Sequence, residues 1–297
     1  MQLSSSDVFL LSQCAISAAY QAGYIVTQHA QQPVAVQSKI GGDSLASQVV
    51  TEVDHLCQDR ILQTLMPTCA RYDLALLTEE NPDDRQRLDK DFFWCIDPLD
   101  GTLPFIQRTP GYAVSIALVS RTGVPEIGVI YDPVLPTLYS AVRGCGAFRN
   151  SQAWVLKPNL ALSTQTFTLV ADQSFQQHPL FTKTLADLKN IALNLGYKAF
   201  ETLLQGGAAM NACWVLEKSP ACYFKFPKIQ AGGGSVWDYA ASACLFHEMG
   251  AVASDMVGQP LDLNRVDGTF MNHRGVLYAC DDGMAECIRR LHVDRPG

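Results

Sequence analysis

Trp94-Cys95-Ile96-Asp97-Pro98-Leu99-Asp100-Gly101-Thr102 decides how the chain is read: an apolar run with strand character passes directly into two carboxylates separated only by a proline and a leucine. Pro98 fixes its own φ and biases Asp97 towards an extended backbone, and Gly101 permits angles that a larger residue resists. The segment therefore ends a strand in a tight turn that aims both acids at one point. Two carboxylates aimed together repel and raise one another's pKa unless a cation lies between them, and Mg²⁺ accepts such an oxygen ligand set. Taken alone, the same residues also read as a capped turn with two solvated aspartates.

Upstream, Leu74-Ala75-Leu76-Leu77-Thr78-Glu79-Glu80 is a second apolar strand ending in acids. It delivers Glu79 beside Asp97 if the two strands are neighbours, and is a solvated loop end if they are not. Downstream, Trp237-Asp238-Tyr239-Ala240-Ala241 opens an apolar helix after Gly232–Gly234, where Asp238 reads equally as an N-terminal cap. Helical spacing predicts one helix over Asp7–His29, capped by Ser6 or Asp7, with Val8, Leu11, Ala15, Ala18 and Ala19 inward. It predicts a second over Glu52–Leu65, with Val53, Leu56, Ile61 and Leu65 on one face and Asp54 near its start, and a break at Gly41 and Gly42 between them.

Further short apolar runs at 92–96, 112–119, 128–131, 138–142, 167–171 and 221–226 read as strands, and 180–188, 206–217 and 236–249 as helices. This interleaving makes the class α/β or α+β with layered sheets. The chain of 297 residues has 48% hydrophobic and 17% charged residues, enough to bury a core, and no linker divides it, so one folded unit is expected. A net charge of -7 without a basic run argues against nucleic-acid polymers and anionic membranes as partners. No leader-like segment or bilayer-length apolar run is read, and ten scattered cysteines without a CxxC pair suit reduced thiols in the cytoplasm. The six histidines show no ligand spacing and receive no catalytic role.

In order, Val50-Thr51-Glu52-Val53-Asp54, Glu79-Glu80, Asp97-Pro98-Leu99-Asp100-Gly101-Thr102 and Trp237-Asp238-Tyr239-Ala240-Ala241 resemble the inositol monophosphatase superfamily of lithium-sensitive phosphatases. The resemblance implies a layered αβαβα sandwich. Residues 1–150 would form an α+β portion bearing most metal ligands, and 151–297 an α/β portion adding Asp238 and the substrate wall. It also implies Mg²⁺, two or three ions per active site. Glu79, Asp97 and the Leu99 carbonyl would hold one ion, and Asp97, Asp100 and Asp238 a second. Asp54, Thr102 and Glu79 would orient the attacking water. Gly101, Thr102, Gly207, Ala208, Lys225 and Asp238 would contact substrate.

The implied activity is hydrolysis of a small-molecule phosphomonoester by a monomer or homodimer. Lys225 stands about where inositol monophosphatases carry a glutamate that binds ring hydroxyls, and a lysine suits a second anionic group. With Phe105-Ile106, 129–134 and 258–264, this favours a 3′(2′),5′-bisphosphate nucleotidase converting adenosine 3′,5′-bisphosphate to AMP. The alternatives are an inositol or other sugar-phosphate phosphatase, and a binding protein without catalysis. Leu103-Pro104 in place of Lys-Glu, and the absence of an arginine in Ala171–Ser174, depart from the nucleotidase pattern.

Overall fold

The computed structural model describes residues 3–32, 36–38, 49–156 and 161–293. The expected break at Gly41 and Gly42 lies outside the described residues. Helix α1, Ser5–His29, starts at Ser4, whose hydroxyl accepts from the Asp7 N–H while Asp7 accepts from the Ser4 N–H. This reciprocal cap replaces the expected Ser6 or Asp7. Its Leu11, Ala15, Ala18, Ala19, Ala22 and Val26 are buried. By length and composition alone α1 would also pass for a membrane span, which the sequence reading did not note; here its inward stripe packs in the core. That stripe packs on helix α2, Glu52–Tyr72, and on the strands beneath.

Helix α2 runs past Pro67 to Tyr72, seven residues beyond the expected Leu65, and stops at left-handed Asp73. Val53, Cys57, Ile61 and Leu65 point inward, whereas Leu56, expected on that face, is exposed. A two-stranded ribbon, β1 (Val36–Ser38) and β2 (Val49–Thr51), leads into it.

A seven-stranded sheet follows in sequence order: β3 (Ala75–Thr78), β4 (Phe92–Asp100), β5 (Ala113–Ser120), β6 (Pro125–Asp132), β7 (Thr137–Val142), β8 (Gly146–Arg149) and β9 (Gln152–Trp154). Only the β3–β4 pair is parallel. A short helix α3, Thr102–Ile106, leaves the end of β4.

The second half adds β10 (Thr166–Ala171), α4 (Phe181–Asn194), β11 (Ala199–Leu204), α5 (Ala208–Glu217), β12 (Ala221–Lys225), α6 (Val236–Glu248), β13 (Val252–Ser254), β14 (Val276–Ala279) and α7 (Asp282–Val293). Its sheet has the order β11-β10-β12-β14-β13.

Helices α1 and α2 cover one face of the first sheet; α5 and α6 lie between the two sheets, and α4 and α7 cover the far face of the second. The result is an αβαβα sandwich. Three apolar clusters fill its gaps: α1, α2 and the first sheet share one, α5 and α6 centre the second, and the third lies under α4 and α7. Because α6 belongs to the second half yet packs across β4 to β8, the halves interlock.

Candidate active site

The parallel pairing of β3 with β4 matches Thr78 to Ile96, and the Glu79 N–H donates to the Ile96 carbonyl at 3.1 Å, so Glu79 lies beside Asp97. The β4–β5 register shifts between Asp97 and Asp100, an irregularity that brings two acids three residues apart to one side. The Leu99 N–H donates to Asp97 Oδ1 at 3.0 Å and closes the turn. Gly101 has φ +85°, and a Cβ there would lie 2.7 Å from the Gly111 carbonyl oxygen, so no larger residue fits this bend.

Asp238 arrives from the far half as the third residue of α6, where it accepts from the Ser235 N–H as part of a capping box. The Ser115 hydroxyl, opposite Asp97 in the sheet, donates to the Trp237 carbonyl at 3.1 Å and ties that helix start to the acid-bearing turn. Asp97, Asp100 and Asp238 thereby place carboxylate oxygens within 4.8 Å of one another. Asp97 and Asp100 are 1% and 5% exposed.

The electrostatics follow from this crowding. Burial first, and then the neighbouring charges of Glu79, Asp100 and Asp238, push the Asp97 carboxyl well above the usual aspartate range. Burial and Asp238 do the same to Asp100, against the opposing effect of two backbone N–H donors. Asp238 is pushed up to about 6 by burial and Glu79, with the Ser235 N–H and Lys225 pulling the other way. Three desolvated acids facing one point, each made a poor anion by the others, are the donor set that a hard dication completes.

Asp100 is held by the first N–H groups of α5, with Ala208 donating to Oδ1 at 3.1 Å and Ala209 to Oδ2 at 2.8 Å. The Gly207 N–H donates to the Gly111 carbonyl at 2.7 Å, and a Cβ on Gly207 would sit 2.6 Å from an Asp100 oxygen. The N–H groups of Gly207 and Ala208 thus donate within the protein.

Thr102 Oγ1 lies 3.1 Å from Asp54 Oδ1 and 3.2 Å from the Leu99 carbonyl oxygen, both acceptors for its proton. The other Asp54 oxygen accepts from the Thr51 hydroxyl at 2.6 Å and the Thr51 N–H at 2.9 Å, fixing the fully buried carboxylate at the start of α2.

Lys225, at the end of β12, is not a free cation. Its Nζ lies 2.6 Å from Asp172 Oδ2 and 6.0 Å from the centre of the Tyr239 ring. Burial opposes the charge on Lys225, but Asp172, Tyr239 and Asp238 together outweigh it and hold the ammonium well above the ordinary lysine range. Asp172 also accepts from Asn211 Nδ2 at 2.8 Å and the Tyr223 hydroxyl at 3.2 Å. Sequence reasoning missed Asp172, Asn211 and Tyr223. The available signal was Leu169-Val170-Ala171-Asp172, an apolar strand ending in an acid like the two that were found.

A model of the inositol monophosphatase family matches residues 10–289. The chain is 31% identical to the Nus factor SuhB of Escherichia coli K12 over 93% of this chain and 97% of that protein. It is 30% identical to human inositol monophosphatase 2 over 84% and 82%. It is 31% identical to the 3′(2′),5′-bisphosphate nucleotidase CysQ of Escherichia coli O6:H1 over 68% and 72%. Among solved structures, the extragenic suppressor protein suhB of Bartonella henselae superposes with a TM-score of 0.70 at 22% identity, covering 97% of this chain and all of that one. With its sandwich fold and buried carboxylate cluster, the chain belongs to the inositol monophosphatase family, phosphatases that hydrolyse phosphomonoesters.

Proposed function

We propose that the chain is a magnesium-dependent phosphomonoesterase for a small hydroxylated metabolite, with Glu79, Asp97, the Leu99 carbonyl, Asp100 and Asp238 holding two or three Mg²⁺ ions. The observation that carries this reading is the convergence of Asp97, Asp100 and Asp238 within 4.8 Å at a buried point. Bound Mg²⁺ supplies a Lewis acid that lowers the pKa of water and offsets charge on the phosphoryl and leaving oxygens. Thr102, its proton committed to Asp54 or to Leu99, presents lone pairs that accept a hydrogen bond from the attacking water and orient it. Glu79, beside Asp97, shares that orientation. The N–H groups of Gly101 and Thr102, which have no intrahelical acceptor at the start of α3, face the phosphoryl oxygens as donors. Gly207 and Ala208, proposed at the substrate, also form the mould for Asp100.

The pairing of Lys225 with Asp172 supports a sugar or polyol monophosphate over the bisphosphate nucleotide that the lysine alone had favoured, because a neutralised lysine attracts a second phosphate weakly. The likeness to CysQ supports the nucleotidase as the second reading. The protein would act as one compact unit of two interlocked portions, monomer or homodimer, in the cytoplasm. Phosphate release from a panel of sugar, polyol and nucleotide phosphates, with and without Mg²⁺, tests the proposal. Release that requires Mg²⁺, is inhibited by Li⁺ and is lost in Asp97→Asn is expected. Binding of these esters without turnover across the panel would instead support a non-catalytic phosphometabolite-binding protein.

A further inference from the structure

A polar network centred on one acid lies outside the metal constellation. Asp172, at the end of β10, takes three donors at once: Lys225 Nζ at 2.6 Å, Asn211 Nδ2 at 2.8 Å and the Tyr223 hydroxyl at 3.2 Å. Asn211 is fully buried on α5 and also donates to the Gly206 carbonyl at 2.9 Å, and Tyr223 is fully buried on β12. Two immobile donors therefore fix Asp172 Oδ1 and leave Oδ2 for the lysine. The pair is close to the reaction centre: Asn211, which holds Asp172, lies on the same helix whose first N–H groups hold Asp100, and Lys225 Nζ stands 6.0 Å from the ring of Tyr239, the residue after Asp238. Lys225 and Asp172 remain 24% and 22% exposed, so both can be reached by a ligand.

We infer that Asp172 is a specificity-determining residue, which neutralises Lys225 and turns a potential anion site into a net-neutral wall that selects hydroxyl-bearing monophosphates over esters with a second phosphate. This rests on the phosphatase reading above. A second phosphate brought to Lys225 meets the Asp172 carboxylate within one residue's breadth, and the attraction and repulsion largely cancel. A sugar or polyol hydroxyl loses nothing to that cancellation: it can donate to the carboxylate and accept from the ammonium. Lysine in this position thus does not by itself signal a bisphosphate substrate.

The test compares kcat/KM for inositol 1-phosphate and adenosine 3′,5′-bisphosphate, with Mg²⁺ at two salt concentrations, in wild type, Asp172→Asn and Lys225→Met. Asp172→Asn keeps an acceptor for Asn211 and Tyr223 while freeing the lysine charge. The ratio of bisphosphate to monophosphate turnover should rise at least roughly tenfold, the scale of removing one unit of repulsion near a partly solvated charge, and the gain should shrink at high salt. Lys225→Met leaves the carboxylate unopposed and should move the ratio the other way, which guards against misfolding of the first variant. Wild-type turnover with a ratio unmoved in both variants would overturn this inference alone. Wild-type failure to release phosphate from either ester would overturn the phosphatase reading and this inference with it.

Discussion

Replacing Asp238 by asparagine should stabilise the metal-free protein while destroying its response to magnesium. In the folded chain the Asp238 carboxyl is pushed up to about 6 from an ordinary 3.8, chiefly by burial and by Glu79. Keeping it ionised at neutral pH therefore costs roughly 3 kcal/mol relative to the unfolded chain. Asparagine removes that charge but accepts the Ser235 N–H less strongly, a loss of roughly 0.5–1 kcal/mol. The net gain is about 2 kcal/mol at pH 7.5 in EDTA. A carboxyl raised on folding binds its proton more tightly in the native state, so the contribution of Asp238 to the stability of the metal-free protein should be fully present below about pH 4. That contribution should be lost as pH rises towards 6. Asp97 and Asp100, raised in the same direction, add to that loss. Urea or thermal unfolding between pH 4 and 8, with EDTA or excess Mg²⁺, measures both effects. The variant should have the flatter profile in EDTA, the higher stability at pH 7.5 and little gain from Mg²⁺. A variant less stable than wild type in EDTA, or equally stabilised by Mg²⁺, would refute the reasoning.

Three further outcomes follow from other contacts. Thr102→Ala should lower kcat about a hundredfold with little change in KM, and Thr102→Ser should restore most of it, because the hydroxyl between Asp54 and Leu99 is what orients water; steady-state kinetics decides, and equal activity of all three forms would remove Thr102 from the reaction. Gly101→Ala should cost roughly 1–3 kcal/mol in denaturant unfolding and most of the activity, since it combines a φ of +85° with a 2.7 Å approach to the Gly111 carbonyl; a neutral effect would mean the turn can relax. In thiol labelling of the native protein, exposed Cys145 should react first while buried Cys95, Cys213 and Cys222, whose thiols burial pushes up, stay protected until unfolding; mass spectrometry of a time course that finds those three labelled early would show the core to be open.

The strand-to-acid turn at Asp97–Thr102 was legible because proline, glycine and two acids in a short span leave few conformations, and the apolar runs feeding it had clear strand character. Core helices were legible from their stripes, with errors where a local signal met tertiary packing. The second helix was expected to end at Leu65, yet α2 continues through Pro67 to Tyr72, and Leu56 fits the helical spacing but faces outward. The strands β1, β2, β8, β9, β11, β13 and β14 and the helices α3 and α7 were missed. Several are three or four residues long or carry polar residues such as Glu201 and Thr202, and they gain their order from neighbours far along the chain.

The same limit applies at the site. The register of β3 on β4, which puts Glu79 beside Asp97, was available only as a condition. The reach of Asp172 across 53 positions to Lys225 had no local trace, so a paired lysine looked like a free one. Likewise nothing local indicated that the N–H groups of Gly207 and Ala208 donate to Gly111 and Asp100.

The central claim, that acids from both halves meet to hold divalent cations, is tested most directly by anomalous diffraction from crystals grown with Mn²⁺ in place of Mg²⁺. The account predicts at least one strong peak bounded by the carboxylates of Asp97, Asp100 and Asp238, absent in Asp97→Asn crystals. Full-occupancy Mn²⁺ elsewhere, with those three side chains turned apart, would contradict it.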